Sequence, residues 1–235
     1  MSIVFDLIFI AIIVAVIVIS KNKGFVASCL DTLSLIISSV VSFLFTKQIA
    51  DAVYNFAVRD LVKTSLKNAL DEANGNLTIS EKVGTMVEAL PESARKLANY
   101  AGVNIEGLKQ RASFGFTYSD EELIEVVADN VAYDIMIVVV QAICFMVLFI
   151  GVSFIVKFAS SLLSKTLSKL PVVGKLDSGL GAVFGLVKGI IIVIAASVLF
   201  TIIVATAEVN SPLLAIEDSY IYTYLKTISP LDLGI

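Results

Sequence analysis

The chain contains no histidine at all. That excludes every His-ligated zinc site, Ser-His-Asp triad, Cys-His dyad and His-Glu-x-x-His helix, and most hydrolase chemistry with them. Cysteine is nearly as scarce: Cys29 and Cys144 are the only two, each inside a long apolar run. Free cysteines in apolar surroundings behave as small packing residues, so neither a disulfide nor a metal pair is expected. Charged residues make up only 16% of the chain, with a formal net charge of −4. The acidic excess is small and lies mostly in one loop, which argues against nucleic acid as a partner. No catalytic constellation, cofactor signature or metal-ligand set is expected, and the chain reads as a non-enzyme.

What the chain does have is hydrocarbon. Apolar residues make up 57% and mean hydropathy is +0.93, outside the range of soluble domains. The longest apolar runs are Phe25 to Phe45, Ile135 to Val156 and Ile190 to Ala207, with a shorter one from Ile3 to Ile19. At 1.5 Å rise per residue, about 20 such residues cross the hydrocarbon core, and a helix satisfies its own backbone there. The expected fold is an all-α integral membrane protein: four transmembrane helices with an extracytoplasmic helical insert, and the lipid bilayer as the first partner. The first run has Asp6 near its start, no Lys or Arg ahead of it, and Lys21 and Lys23 after it, the reverse of a signal peptide, so it is expected to stay as a span.

The Lys and Arg bias sets orientation. Lys21 and Lys23 lie between the first two spans; Lys165, Lys169 and Lys175, flanked by Lys157 and Lys188, lie between the last two. Both turns are expected on the cytoplasmic side. The termini and the long middle loop are then outside, with Glu208, Glu217, Asp218 and Asp232 against Lys226 in the tail. Four regions follow: the hairpin of spans one and two (1–46), an outer amphipathic helical loop (47–130), spans three and four (131–207) and an outer amphipathic tail (208–235).

The middle loop carries helical patterning and no useful β-alternation. Ile49, Val53, Tyr54, Ala57, Leu61, Leu66 and Leu70 recur at helical spacing, with a stop at Asn74-Gly75. Thr78-Ile-Ser-Glu81 and Ser119-Asp-Glu-Glu122 are capping boxes. Pro91 fits the first turn of a further short helix that Gly102 ends. Leu123, Val126, Val127 and Val131 carry the last of these helices into the third span. The apolar faces of this cap are expected to pack on one another and on the outer ends of the spans. A lipid-surface role fits less well, because such helices are usually rich in Lys and Arg; partner binding is the third reading.

Intramembrane polar residues are costly, about 2.5–3.5 kcal/mol for a carboxylate on insertion scales, and suggest function by default. Asp31 lies just inside the second span and shares a face with Ser34 and Ser38. Such a stripe either joins helices or lines a wet path; near a helix N-terminus the carboxylate is also eased by the dipole. The fourth segment opens at Asp177, and Gly181, Gly185 and Gly189 form two overlapping GxxxG units on one face, an invitation to close helix packing. Gly179, Gly181 and Gly185 do not make a nucleotide loop, because no strand precedes them. Lys188 either snorkels to the headgroups or pairs with Asp31. Gln141, in the third span, suits an interhelical hydrogen bond.

Asp6, the turn Lys23-Gly24-Phe25, the Ser-rich second span, Asp177 with Gly181-Ala-Val-Phe-Gly185-Leu-Val-Lys188-Gly189, and Ser219-Tyr-Ile-Tyr-Thr-Tyr-Leu-Lys together resemble the colicin V production protein family. The resemblance covers 1–46 and about 131–230. It departs at Lys23 and Lys188, where the family commonly has Arg, at Ser178, where it has a basic residue, and in the longer loop after Thr46. The resemblance implies a four-span bacterial inner-membrane protein needed to produce or export a peptide toxin, and more broadly for envelope upkeep; it brings a process, not a reaction. The first reading is therefore a non-enzymatic accessory protein with envelope or secretion proteins, or its own copies, as partners. The second is an oligomeric channel or small-solute transporter with a polar path near Asp31 and Lys188.

Overall fold

The computed structural model describes residues 2–73, 77–114, 118–167, 174–206, 216 and 218–226. Asn74-Gly75, Lys169, Glu208, Glu217 and Asp232 lie outside the described residues, as do the side chains of Lys165, Lys175 and Lys226. Among the described residues there is no strand. Helices α1 (Ser2–Lys23), α2 (Phe25–Val53), α3 (Arg59–Glu72), α4 (Ile79–Glu88), α5 (Glu92–Tyr100), α6 (Ile105–Ser113), α7 (Asp120–Val126), α8 (Tyr133–Leu167), α9 (Gly174–Thr206) and α10 (Tyr220–Lys226) follow in order. Four helical stretches among them, Ile3–Lys23, Phe25–Glu72, Asp120–Ala159 and Asp177–Thr201, are long and apolar enough to cross a membrane. The chain is an all-α membrane protein.

The chain divides into two compact units. One comprises Met1–Thr46, Phe145–Phe200 and Ala207–Ile235; the other comprises Lys47–Cys144 and Thr201–Thr206.

In the second unit the short helices bury their apolar faces on one another. Leu66 of α3, Val83 and Met86 of α4, Ala98 of α5, Leu123 of α7 and Ile135 of α8 all lie in one buried cluster. Each fully buried Leu or Met contributes about 1.5–3 kcal/mol. Both capping boxes form: Thr78 and Glu81 open α4, and Ser119 and Glu122 open α7. Pro91 stands one position earlier than expected, as the residue capping α5. Gly102 ends that helix at φ +81°, with Val103 N–H donating to the Ala98 carbonyl (2.9 Å) and Gly102 N–H to that of Asn99 (3.1 Å). This is the paired bonding of a Schellman stop, and its left-handed residue favours glycine.

Three features differ from the expectation. The apolar run of the second span ends at Phe45, yet α2 continues to Val53 and passes through a π-helical segment, Tyr54–Val58, into α3. No glycine or proline interrupts residues 25–74, so nothing stops the helix. The wider π turn also shifts the buried stripe: Val62 and Leu66 are buried, while Leu61 is exposed. Finally, α6 is a helix the periodicity did not indicate; Asn104 opens it by accepting the Gly107 N–H at 2.9 Å.

A second π segment, Val127–Ala132, joins α7 to α8. The two π segments meet: the Tyr54 hydroxyl donates to the Ala128 carbonyl (3.0 Å), and the rings of Tyr54 and Tyr133 pack edge to face at 4.9 Å. Tyr133 donates to Asp51 Oδ1 at 2.6 Å, and Arg59 grips Asp129 through two bonds of 2.7 Å.

Candidate functional site

Three of the polar residues singled out in the sequence, Asp31, Asp177 and Lys188, converge within the first unit on the turn between α1 and α2. A single residue, Gly24, separates the two helices, at φ +84°. This left-handed conformation is open to glycine at little cost. A second reason also forbids a side chain: a Cβ on Gly24 would strike the Asp177 carboxylate. That carboxylate arrives from α9 and accepts the Phe25 N–H at 2.5 Å, filling the place of an N-cap at the start of α2. Ser28 donates to the Ser20 carbonyl at 2.7 Å, satisfying the last turn of α1.

The glycine face of α9 lies against α1. A Cβ on Gly181 would stand 2.8 Å from the Ser20 carbonyl oxygen, and one on Gly185 would stand 2.7 Å from Ser20 Cβ and 2.9 Å from Ile17 Cα. At Gly189 the nearest atom would be Ile13 Cα, at 3.2 Å. Ile13, Ile17 and Ser20 share one face of α1, so the two backbones approach along about two turns. The partner of the GxxxG face is therefore a helix of the same chain. On the other side, Thr32 of α2 donates to its own Ser28 carbonyl (2.8 Å) and to that of Phe184 on α9 (3.1 Å), with the Phe25 and Phe184 rings 5.6 Å apart.

Asp31 sits at the centre. Its Oδ2 receives Lys188 Nζ at 3.0 Å and Lys23 Nζ at 2.9 Å. Lys188 is 13% exposed, Asp31 27% and Lys23 48%. Of the two placements open to Lys188 in the sequence, the structure has the pair. The Lys23 contact was not legible there, because its reach back across the turn depends on the angle between α1 and α2. One carboxylate shared by two ammonium groups leaves a net positive charge at the node. It ties three helices together.

Ser34 and Ser38 are buried on α2, and their hydroxyls donate to the carbonyls of Leu30 and Ser34, both at 2.7 Å. Ser42 continues the pattern onto Ser38 at 2.6 Å. Gln141 is half-buried on α8 and belongs to the second unit. Among the described residues no three acidic or Cys side chains converge in a way that suits a metal ion.

A second tie links the ends of the chain. Asp6 on α1 accepts the Ser219 hydroxyl at 2.6 Å and the Ile221 N–H at 3.0 Å, while Ser219 Oγ caps α10 by accepting the Tyr222 N–H at 3.1 Å. Asp6 and Ser219 stood in the sequence as marks of a resemblance; nothing there indicated that they touch.

Residues 121–230 match the family model described as colicin V production protein. Over those residues the chain is similar to that family. The match spans a little under half of the chain. It contains Asp177, the three glycines, Lys188 and Ser219, whereas Asp6, Lys23, Gly24, Phe25 and Asp31 precede it. The family residues thus bond across to a hairpin outside the matched span: Asp177 to Phe25, Lys188 to Asp31 and Ser219 to Asp6. No curated protein and no solved structure matches the chain.

Proposed function

We propose that this protein is a non-enzymatic accessory factor of the bacterial inner membrane. It supports the production or secretion of a colicin V-like peptide toxin, or envelope homeostasis, and it acts through helix packing. The match to the colicin V production family model supports the process. The observation that carries the packing reading is the use made of the polar residues within the spans. Lys23 and Lys188 are both bonded to Asp31, the Ser34, Ser38 and Ser42 hydroxyl protons are spent within α2, and the glycine face is filled by α1. A path for solutes needs such groups turned toward water. The cytoplasmic face of the α1–α2 turn, with both termini outside, follows from the Lys distribution and belongs to the same proposal.

The test is complementation of a deletion strain in a toxin-export assay, with photo-crosslinking probes in the working protein. Exposed positions suit the probes: Phe56 and Phe114 on the insert and Val183 on α9. Restored export with capture of a distinct secretion or envelope protein supports the accessory role. Self-adducts alone, together with an ion or solute flux in proteoliposomes that Asp31→Asn abolishes, would replace it with the channel reading.

A further inference from the structure

The second unit contains a cavity of about 520 Å³ that none of the contacts above uses. That is a volume typical of small-molecule sites. Its floor includes Leu108 and Ala112 of α6, and its polar wall is built from Arg111, Asp129, Tyr133 and Asp134. Two of these groups are already committed: Asp129 is held by Arg59 through two bonds, and Tyr133 donates to Asp51. Arg111 and Asp134 are different. Among the described residues neither side chain has a hydrogen bond or ion pair, although both line the same cavity from different helices. The cavity therefore offers a guanidinium and a carboxylate that act on each other through their charges without a direct bond.

The position of Asp134 fixes the depth. Ile135 begins the apolar run of the third span, so Asp134 and Tyr133 stand where hydrocarbon gives way to headgroups. Asp51, bonded to Tyr133, follows Lys47 and Gln48, the first charged and strongly polar residues after the apolar run of α2. Both helices thus place the cavity at the membrane interface.

We propose that this cavity holds the zwitterionic headgroup of a membrane phospholipid of the phosphoethanolamine type. Arg111 takes the phosphate, for which the planar guanidinium fork is suited. Asp134 takes the ammonium. Phosphatidylglycerol brings the same phosphate but a neutral glycerol in place of the cation, which leaves the Asp134 carboxylate unpaired. The pairing of opposite charges, not net charge, therefore sets the preference.

The test is native mass spectrometry on the full chain, delipidated in detergent and offered equal amounts of phosphatidylethanolamine and phosphatidylglycerol. One phosphatidylethanolamine is expected to be retained about tenfold over phosphatidylglycerol, which corresponds to about 1.4 kcal/mol. Arg111→Gln lowers retention of both lipids. Asp134→Asn lowers phosphatidylethanolamine and raises phosphatidylglycerol, a reversal that loss of folding cannot produce. Lys109→Gln, on the same helix but paired with Glu106, leaves both unchanged. If Arg111→Gln does not fold, Arg111→Lys keeps the charge without the fork and is expected to show a smaller fall in the same direction. Equal retention by the wild type, or unchanged selectivity in Asp134→Asn, overturns the proposal. Soluble phosphoethanolamine separates the two sources of this chemistry: if it binds as well as the lipid, the ligand is a free solute and the lipid assignment fails.

Discussion

Asp177 caps a helix that begins 152 residues earlier, accepting the Phe25 N–H at 2.5 Å while its carboxylate fills the space beside Gly24. A cap is ordinarily the residue before its helix, but Gly24 has no side chain to offer. The turn needs glycine's backbone, and α9 supplies the missing acceptor.

Gly24→Ala is therefore expected to act twice, through strain at φ +84° and through displacement of Asp177. Left-handed backbone costs an alanine about 1–2 kcal/mol, and a lost cap about 0.5–2 kcal/mol. Asp177→Ala removes only the cap, and Asp177→Asn, with an acceptor oxygen in the same place, costs least. Thermal unfolding in nanodiscs would rank them. In the double variant the cap is lost only once, so its loss should be smaller than the sum of the two single ones.

The Asp31 node makes an asymmetric prediction. Asp31→Asn leaves Lys188, only 13% exposed, without its counter-ion. Breaking a buried pair from one side costs about 3–5 kcal/mol, and partial exposure places this case below that range. Lys23→Gln removes a half-exposed partner and should cost no more than about 1 kcal/mol. Lys188→Gln together with Asp31→Asn should be milder than Asp31→Asn alone. A double-mutant cycle on unfolding midpoints reads the coupling, and strict additivity would dissolve the pair as an energetic unit.

The spans, the two capping boxes and the close-packing character of Gly181, Gly185 and Gly189 were legible because each depends on neighbours along the chain. Apolar length fixes a span, and Thr78 finds Glu81 three residues on. What was hidden depends on space. A π segment such as Tyr54–Val58 has no compositional mark, yet it turns Leu61 outward and Val62 inward. Helix α6 was missed because its start is a side-chain turn at Asn104, and only Ile105 and Ala112 of its nine residues are buried. Asp6 and Ser219, like Lys23 and Asp31, are ordinary polar residues until the fold sets them within hydrogen-bond reach.

The glycines of α9 separate packing from mere flexibility. An added Cβ at Gly185 meets Ile17 Cα and Ser20 Cβ, neither of which can move without its backbone. At Gly179 it meets nothing within 4 Å. Gly185→Ala should lower the yield of folded protein and its melting temperature, Gly189→Ala less so, and Gly179→Ala should be neutral or stabilising by up to about 1 kcal/mol through helix propensity. Equal effects at Gly179 and Gly185 would remove α1 as the reason for the glycines.

Acid should loosen α4 before the core around it. The Thr78 N–H and hydroxyl hold the Glu81 carboxyl below its ordinary value of 4.5. A carboxylate lowered in the folded state gives stability that is whole above the unfolded value and is lost as pH falls through the folded one. Amide exchange in the first turn of α4 should therefore accelerate as pH drops below about 4.5, after correction for intrinsic rates. Glu81→Gln, which retains an acceptor without the titration, should flatten that dependence.

Asp6 and Ser219 hold the short helix α10, which at seven residues cannot persist alone. Its anchors are Tyr222 and Leu225, both buried, and the two bonds to Asp6 Oδ1. Asp6→Ala removes both bonds and returns the Ile221 N–H to water, whereas Ser219→Ala removes one of them together with the cap on Tyr222. Each is expected to cost about 1.5–3 kcal/mol, the range for hydrogen bonds to charged groups. Because α10 has little stability of its own, the loss should appear locally, as faster amide exchange and proteolytic cleavage within 220–226, before any change in global melting. Asp6→Asn keeps one acceptor and should sit between wild type and Asp6→Ala. Protection at Ile221 that survives Asp6→Ala unchanged would mean that Tyr222 and Leu225 hold the helix by packing alone, and that the carboxylate is incidental to it.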